Sequence, residues 1–401
     1  MKKAKLFISG IIIAVILIGI LYAGKRWYSH ESEVNAKLWD IQAATESIAG
    51  SLTEKETPYI DLLGKTVLQD VLSGVAEKDH NAYIKLAAGE NINLLVVGDS
   101  ISAQEWTEKI ADQIAYHFGS NCNIINISMG GNTSYAGYVR TSILDDRYFD
   151  LALICFGQND ADADFEIFYE ATIRAVLEKN PDIKIISVLE SAQRTYTEKI
   201  KKIIEIAEYY DASVVDAIAA YDNSGYSYEA LSPDGVHPGE LGKELYLNTV
   251  METIFNQVKE NVSAAVKTVM SQNEEQKITS SQEAGSIKPA LYHNTDLLNN
   301  CIFIPAEQFD RIDELSFSVS VPDYKGLLGI YCARVPGKNE ITVFCESKLI
   351  CSYSEDFDHS FTQEMIFLFD KEQLELSGNI KVVFNTPEQA ESFRGLIVSI
   401  A

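Results

Sequence analysis

Basic side chains are scarce in this sequence beyond its first 30 residues. That opening segment holds Lys2, Lys3, Lys5, Lys25 and Arg26 and no acidic residue, which leaves 28 basic against 58 acidic residues in the remainder. A surface so acidic repels the phosphates of nucleic acids, which need a basic footprint, so no nucleic-acid partner is expected. It is equally unsuited to holding anionic lipid head groups by charge, whereas neutral polymers remain compatible. Cysteine is sparse too, and six in 401 residues do not build a disulfide scaffold. Cys122 and Cys155 fall in or beside apolar runs, as buried thiols do. Cys301, Cys332, Cys345 and Cys351 share the C-terminal region, where a pair could bridge if folded close together. No Cys-x-x-Cys or His-x-x-x-His spacing occurs, which excludes the usual zinc frameworks. Nothing in the sequence calls for a metal or an organic cofactor. Internal repeats and long low-complexity tracts are also lacking.

Apolar residues make up 46% of the chain, enough for substantial cores, and the length predicts about two domains. One run with almost no polar residue, Leu6–Ala23, is about as long as a single bilayer-spanning helix needs. It exceeds the usual 7–15-residue core of a signal peptide. We therefore read residues 1–30 as an uncleaved single-pass anchor in the cell membrane, with a cleaved signal peptide as the alternative. Either reading places the rest of the chain outside the cytoplasm.

Residues 31–90 read as a helical stalk followed by a packing helix, with Leu38, Ile41, Ala44 and Ile48 at helical spacing. Residues 91–261 alternate apolar strands, near Leu94–Val97, Ile124–Ile127, Leu151–Phe156, Ile183–Val188 and Ser213–Val215, with helical stretches such as Phe165–Lys179 and Thr195–Tyr210. This alternation predicts an α/β domain, a parallel sheet with helices on both faces. Ser, Gln, Glu and Lys then dominate 262–289, which reads as a linker. Beyond it the apolar period becomes two, at Leu315–Val321, Ile341–Cys345, Met365–Phe369 and Ile380–Phe384, predicting an all-β sandwich over 290–401.

Four short blocks fall within the α/β region: Gly98-Asp99-Ser100, Gly130-Gly131-Asn132-Thr133, Gly157-Gln158-Asn159-Asp160 and Asp234-Gly235-Val236-His237. The first three follow predicted strands, and reactive groups in parallel sheets collect at the strands' carboxyl ends. Together the blocks offer a serine, an Asp-x-x-His pair and two sets of hydrogen-bond donors. Acyl transfer requires those parts: a nucleophile, a base with its orienter, and a hole for the oxyanion. Singly, each block also suits an ordinary turn. Gly98 and Gly131 could serve backbone geometry, and Asn159-Asp160 could form an Asx turn.

In order and content these blocks resemble the SGNH/GDSL hydrolase superfamily. The resemblance spans roughly residues 90–260 and implies a three-layer α/β/α domain around a five-stranded parallel sheet. It implies Ser100 as nucleophile, His237 as base and Asp234 as its orienter. The oxyanion hole would comprise the backbone N–H groups of Ser100 and Gly131 and the side chain of Asn159. Ser102 stands where the family often has threonine. Extracytoplasmic members that resemble this chain act on O-acetyl groups of polysaccharides, so the implied activity is a serine esterase removing short acyl groups from an acylated carbohydrate. The alternatives are an O-acetyltransferase subunit served by a membrane acyltransferase partner, and a non-catalytic glycan-binding protein. Tyr135, Tyr138, Tyr226 and Tyr228 are candidates for sugar-stacking walls. Trp106 reads as core.

Overall fold

In a computed structural model of the protein, residues 80–271, 287–292, 298, 300–370 and 372–400 are described. The expected anchor, and the stalk up to residue 79, lie outside these residues. Among the described residues no helix is long and apolar enough to cross a membrane.

The α/β region begins with helix α1 (Ala82–Ala88), whose Asn81 side chain caps the N–H groups of Tyr83 and Ile84. Strands β1 (Ile92–Gly98), β2 (Cys122–Asn126), β3 (Leu151–Cys155), β4 (Lys184–Leu189) and β5 (Ser213–Asp216) follow. They pair in parallel in the order β2-β1-β3-β4-β5. Between them run α2 (Lys109–Phe118), α3 (Ser134–Ile143), α4 (Phe165–Lys179) and α5 (Glu198–Tyr209). β1 and β3 are buried along almost their whole length, which explains why they read as unbroken apolar runs. Two short helices, α6 (Ala217–Asn223) and α7 (Tyr228–Leu231), precede the long α8 (Glu240–Ser271). Because α8 continues to residue 271, the linker expected over 262–289 starts no earlier than residue 272.

This strand order positions the site. β1 lies between β2 and β3, so the segments leaving their carboxyl ends, which carry Ser100, Gly131 and Asn159, emerge side by side. The order reverses direction between β1 and β3, where open α/β sheets form their binding crevice.

The C-terminal region is an antiparallel β domain. Its strands are β6 (Asn300–Pro305), β7 (Asp310–Arg311), β8 (Ser316–Arg334), β9 (Gly337–Cys345), β10 (Lys348–Phe357), β11 (Gln363–Leu368), β12 (Leu374–Phe384) and β13 (Gly395–Ile400), with a short helix α9 (Pro387–Glu391). All eight strands join one hydrogen-bonded network. The 19-residue β8 connects it, pairing with β12 along its first half and with β11 and β13 along its second. The four cysteines of this region are free thiols, as are Cys122 and Cys155.

The β domain is part of the same compact unit as the α/β domain (Asp79–Asn261 with Lys277–Ala401). Side chains alternate along β8. Leu328, Ile330 and Cys332 enter the β domain's own core, while Leu327 joins Ile366 and Ile397 against Met129, Tyr135, Tyr138 and Val139 of the α/β domain. Gly329 lets the backbones approach there: a Cβ on it would stand 2.6 Å from the Tyr135 hydroxyl. Truncating a large apolar side chain in such an interface costs about 2–5 kcal/mol. The two domains therefore share a core, and neither hangs free on a tether.

Candidate active site

Ser100 lies two residues beyond the end of β1, on a tight turn. A Cβ on Gly98 would lie 2.0 Å from Ser102 Oγ and 2.5 Å from the Cys155 carbonyl, so only glycine fits where β1 leaves the sheet. The Asp99 side chain folds back to accept from the Ile101 N–H at 2.9 Å and closes the turn. Trp106 is fully buried, donates to the Ile101 carbonyl at 2.7 Å and packs on Tyr246, so it belongs to the core as expected.

Across the crevice, His237 Nε2 lies 2.8 Å from Ser100 Oγ and His237 Nδ1 lies 2.7 Å from Asp234 Oδ2. The other Asp234 oxygen accepts from the backbone N–H groups of Val236 and His237. Desolvation pushes the Asp234 carboxyl up, but the Val236 N–H and the His237 imidazole and N–H outweigh it and hold it down at about 2. An ionised Asp234 accepts the Nδ1 proton and leaves Nε2 as the acceptor for the serine hydroxyl. The three-residue spacing works because the segment turns at Gly235, whose φ is +84°.

Gly131 also has a positive φ, +69°. Among the described residues, neither its N–H nor that of Ser100 has an acceptor, so both donors are available to a ligand. Asn159 Nδ2 donates to Asp99 Oδ2 at 3.0 Å and to the Asn132 carbonyl at 3.1 Å, which aims its amide across the Gly131 turn. The structure thus brings together Ser100, Gly131, Asn159, Asp234 and His237.

The proposed sugar walls fare differently. Tyr135 and Tyr138 are 3% and 4% exposed and pack against the β domain, with the Tyr138 hydroxyl donating to the Leu298 carbonyl. They lie on the α3 face that the second domain covers, so they are core and touch no substrate. Tyr226 is exposed but does not line the cavity beside Ser100. Tyr228 does not line it either. Its ring lies under the Arg194 guanidinium at 4.0 Å and its hydroxyl reaches the Gly235 carbonyl, so it supports the loop carrying His237.

Several buried groups complete the site, and of these Lys199 and Glu190 carried no sequence signal. Lys199, buried at the start of α5, donates from Nζ to the carbonyls of Gly157 and Asp160, 2.7 Å each. This pins both ends of the turn that presents Asn159. Asp160 turns inward and caps α3, accepting from the N–H and hydroxyl of Ser134. Beneath the turn lie two fully buried carboxyls, Asp99 and Glu190, the latter accepting from the Gln158 N–H at 2.7 Å. Burial pushes both carboxyls up, and each opposes ionisation of its neighbourhood.

Asn132 stitches the domains together. Buried at 2% exposure, it donates to the carbonyls of Gly130 and Glu364 and accepts from the Ile366 N–H, all at 2.8–2.9 Å. The turn bearing Gly131 is thereby bonded to strand β11. The β domain also walls a cavity of about 850 Å³ that opens on Ser100, Gly131, Asn159 and His237. That wall includes Phe357, His359, Phe361 and Gln363, with neighbouring rings 4.6–5.8 Å apart. Arg334 donates to Gln363 Oε1 at 2.5 Å and to Glu355, and stacks over Phe357.

The family model for GDSL-like lipases and acylhydrolases matches residues 96–245. Among solved structures, a two-domain esterase active on acetylated mannans, co-crystallised with mannopentaose, is similar with a TM-score of 0.58 at 15% identity. That match covers 79% of this chain and 94% of the other. Another structure of a two-domain esterase active on acetylated mannans gives a TM-score of 0.55 at 16% identity, covering 86% and 96%. At these identities the likeness establishes the shared fold. No curated protein matches the sequence. Residues 96–245, which hold the serine, glycine, asparagine and histidine just described, thus form a domain that matches the GDSL-like lipase/acylhydrolase family model, and this supports a serine hydrolase.

Proposed function

We propose that this protein is a serine esterase that removes O-acetyl groups from a neutral polysaccharide through an acyl-enzyme, outside the cytoplasm. The observation that carries the reading is the unbroken chain Asp234–His237–Ser100, with contacts of 2.7 and 2.8 Å, beside the free N–H groups of Ser100 and Gly131. Serine is a poor nucleophile unless a base takes its proton as it attacks. His237 Nε2 accepts that proton while Ser100 Oγ bonds to the ester carbonyl carbon. The oxygen that becomes negative is received by Ser100 N–H and Gly131 N–H, and by Asn159 Nδ2 as it turns one of its two hydrogens away from Asp99 or the Asn132 carbonyl. Asp234 stabilises the imidazolium, which then protonates the departing sugar oxygen. Water, deprotonated by His237, attacks the acetyl-serine and releases acetate and the free serine.

A polymeric substrate is supported by the cavity's second wall. Phe361 is 53% exposed and presents its ring beside the ester site, as a face for stacking sugars would. The two-domain esterase similar in fold acts on acetylated mannans, which points to the same class of polymer. The chain's acidity favours an uncharged one. The Leu6–Ala23 run, read as a membrane anchor, supports the location.

The test is acetate release from acetylated glucomannan and from an aryl acetate by the chain from residue 32 onward. Activity on both, abolished in a folded Ser100→Ala variant, is expected. Unchanged turnover in Ser100→Ala would overturn the assignment. Esterified polymer that gains acetyl groups from an added donor would instead mark a transferase.

A further inference from the structure

The proposed reaction leaves open how long an acyl chain the site accepts, and the surroundings of Gly130 address this. Gly130 has an ordinary backbone conformation, unlike Gly131, so no strain requires glycine there. Crowding does not require it either. A Cβ built on Gly130 would meet Ser100 Cβ at 3.6 Å and Gln363 Nε2 at 3.7 Å, and nothing else within 4 Å. Both are ordinary van der Waals separations. A side chain at this position would stand in contact with both the serine and Gln363, so the space between them is kept open by its absence.

Gln363 closes the far side of that gap, and its position is held from two directions. Its Oε1 accepts from Arg334 Nη2, which leaves Nε2 facing the glycines. Its amide lies so close to Gly131 that a Cβ there would fall 2.3 Å from Nε2. Arg334 is in turn fixed by Glu355 and the Phe357 ring. One and three residues further along β11, the bonds of Asn132 with Glu364 and Ile366 hold the strand to the catalytic turn.

We propose that the gap bounded by Ser100, Gly130 and Gln363 is the slot for the methyl group of an acetyl ester, and that Gln363 of the β domain is the residue that rejects longer acyl chains. This rests on the esterase reading above and deepens it. An acetyl group on Ser100 places its methyl beside the serine's own Cβ, where the gap lies. A propionyl or butyryl chain extends into the Gln363 amide, which cannot swing away without breaking its bond to Arg334. The β domain thereby sets acyl specificity on a catalytic centre that the other domain supplies.

The experiment measures kcat/KM for aryl acetate, propionate and butyrate on the wild-type chain, Gly130→Ala, Gln363→Ala and Arg334→Ala, with thermal unfolding of each. Gly130→Ala should fold normally, since its methyl meets only permitted contacts, yet lose acetate turnover at least about 10-fold because it fills the slot. Gln363→Ala should raise the butyrate-to-acetate ratio about 10-fold or more, and Arg334→Ala should raise it less, since it frees the amide without removing it. A folded Gly130→Ala with wild-type acetate turnover, or a Gln363→Ala ratio equal to wild type, would overturn the slot while leaving the esterase intact. Absence of any Ser100-dependent ester hydrolysis in the wild type would overturn both.

Discussion

Replacing Asn132 by alanine tests the claim that the β domain is built into the catalytic centre. The side chain serves three buried polar groups, the carbonyls of Gly130 and Glu364 and the N–H of Ile366. Alanine leaves all three without that partner. Each orphaned buried group costs about 1–3 kcal/mol. Water entering the vacated space satisfies part of the deficit, so about 3 kcal/mol is expected in total. For a folded unit of this size that corresponds to a fall in Tm of about 5 °C. The same change frees the Gly130–Gly131 turn from β11, so the Gly131 N–H is no longer held at the oxyanion position. Complete loss of one such donor costs about 10²–10³ in rate, and a loosened donor should cost about 10–100-fold in kcat, with a smaller effect on KM. Differential scanning calorimetry and steady-state hydrolysis of an aryl acetate would measure both. An Asn132→Ala variant with unchanged Tm and unchanged kcat would refute the coupling argument.

Three further outcomes are expected. Removing residues 290–401 should abolish hydrolysis even of a small aryl acetate, because it strips the apolar cover from Tyr135, Tyr138 and Val139 and the bonds from Asn132; full activity in the truncated chain would show the β domain to be dispensable. Asn159→Ala should lower kcat about 10²–10³-fold while changing KM little, since its contact strengthens only as the oxyanion forms; an effect confined to KM would reassign it to substrate binding. Burial raises the folded-state pKa of Asp99 to about 7, above its unfolded value, so its contribution to stability is full below about pH 4 and is lost as pH rises through about 7. The urea midpoint should therefore fall as pH rises from about 4 to about 7 in the wild type, level off above that, and fall less in Glu190→Gln, which removes the neighbouring carboxyl. Equal slopes in the two proteins would show that the buried pair does not titrate in this range.

Local pattern was enough for part of this protein. The apolar runs around Leu94–Val97 and Leu151–Phe156 are strands because both sheet faces are covered, and that demand is written into every residue of the run. The stretch Phe165–Lys179 is a helix with the bounds its periodicity implied. The four blocks were legible for a related reason: the first three set a particular side chain or a bare glycine at a strand end, and the fourth sets an Asp-x-x-His pair in the loop between two helices. Where the first three blocks sit after their strands then follows from parallel-sheet topology.

Tertiary structure decided which face met which partner. The buried stripe of α3 marked Tyr135 and Tyr138 as apolar and aromatic, which suits a sugar wall and a core equally; the packing of Leu327, Ile366 and Ile397 against them made them core. Lys199 sits in a run of charged helix residues and resembles any solvated lysine until the fold places the Gly157 and Asp160 carbonyls at its tip. Gln363 stands more than 200 residues from Ser100, on a strand whose alternation records only which side is buried. Hydrophobic periodicity encodes burial along one element, but contacts between distant elements depend on how whole domains dock, and a lone glutamine carries no trace of that docking.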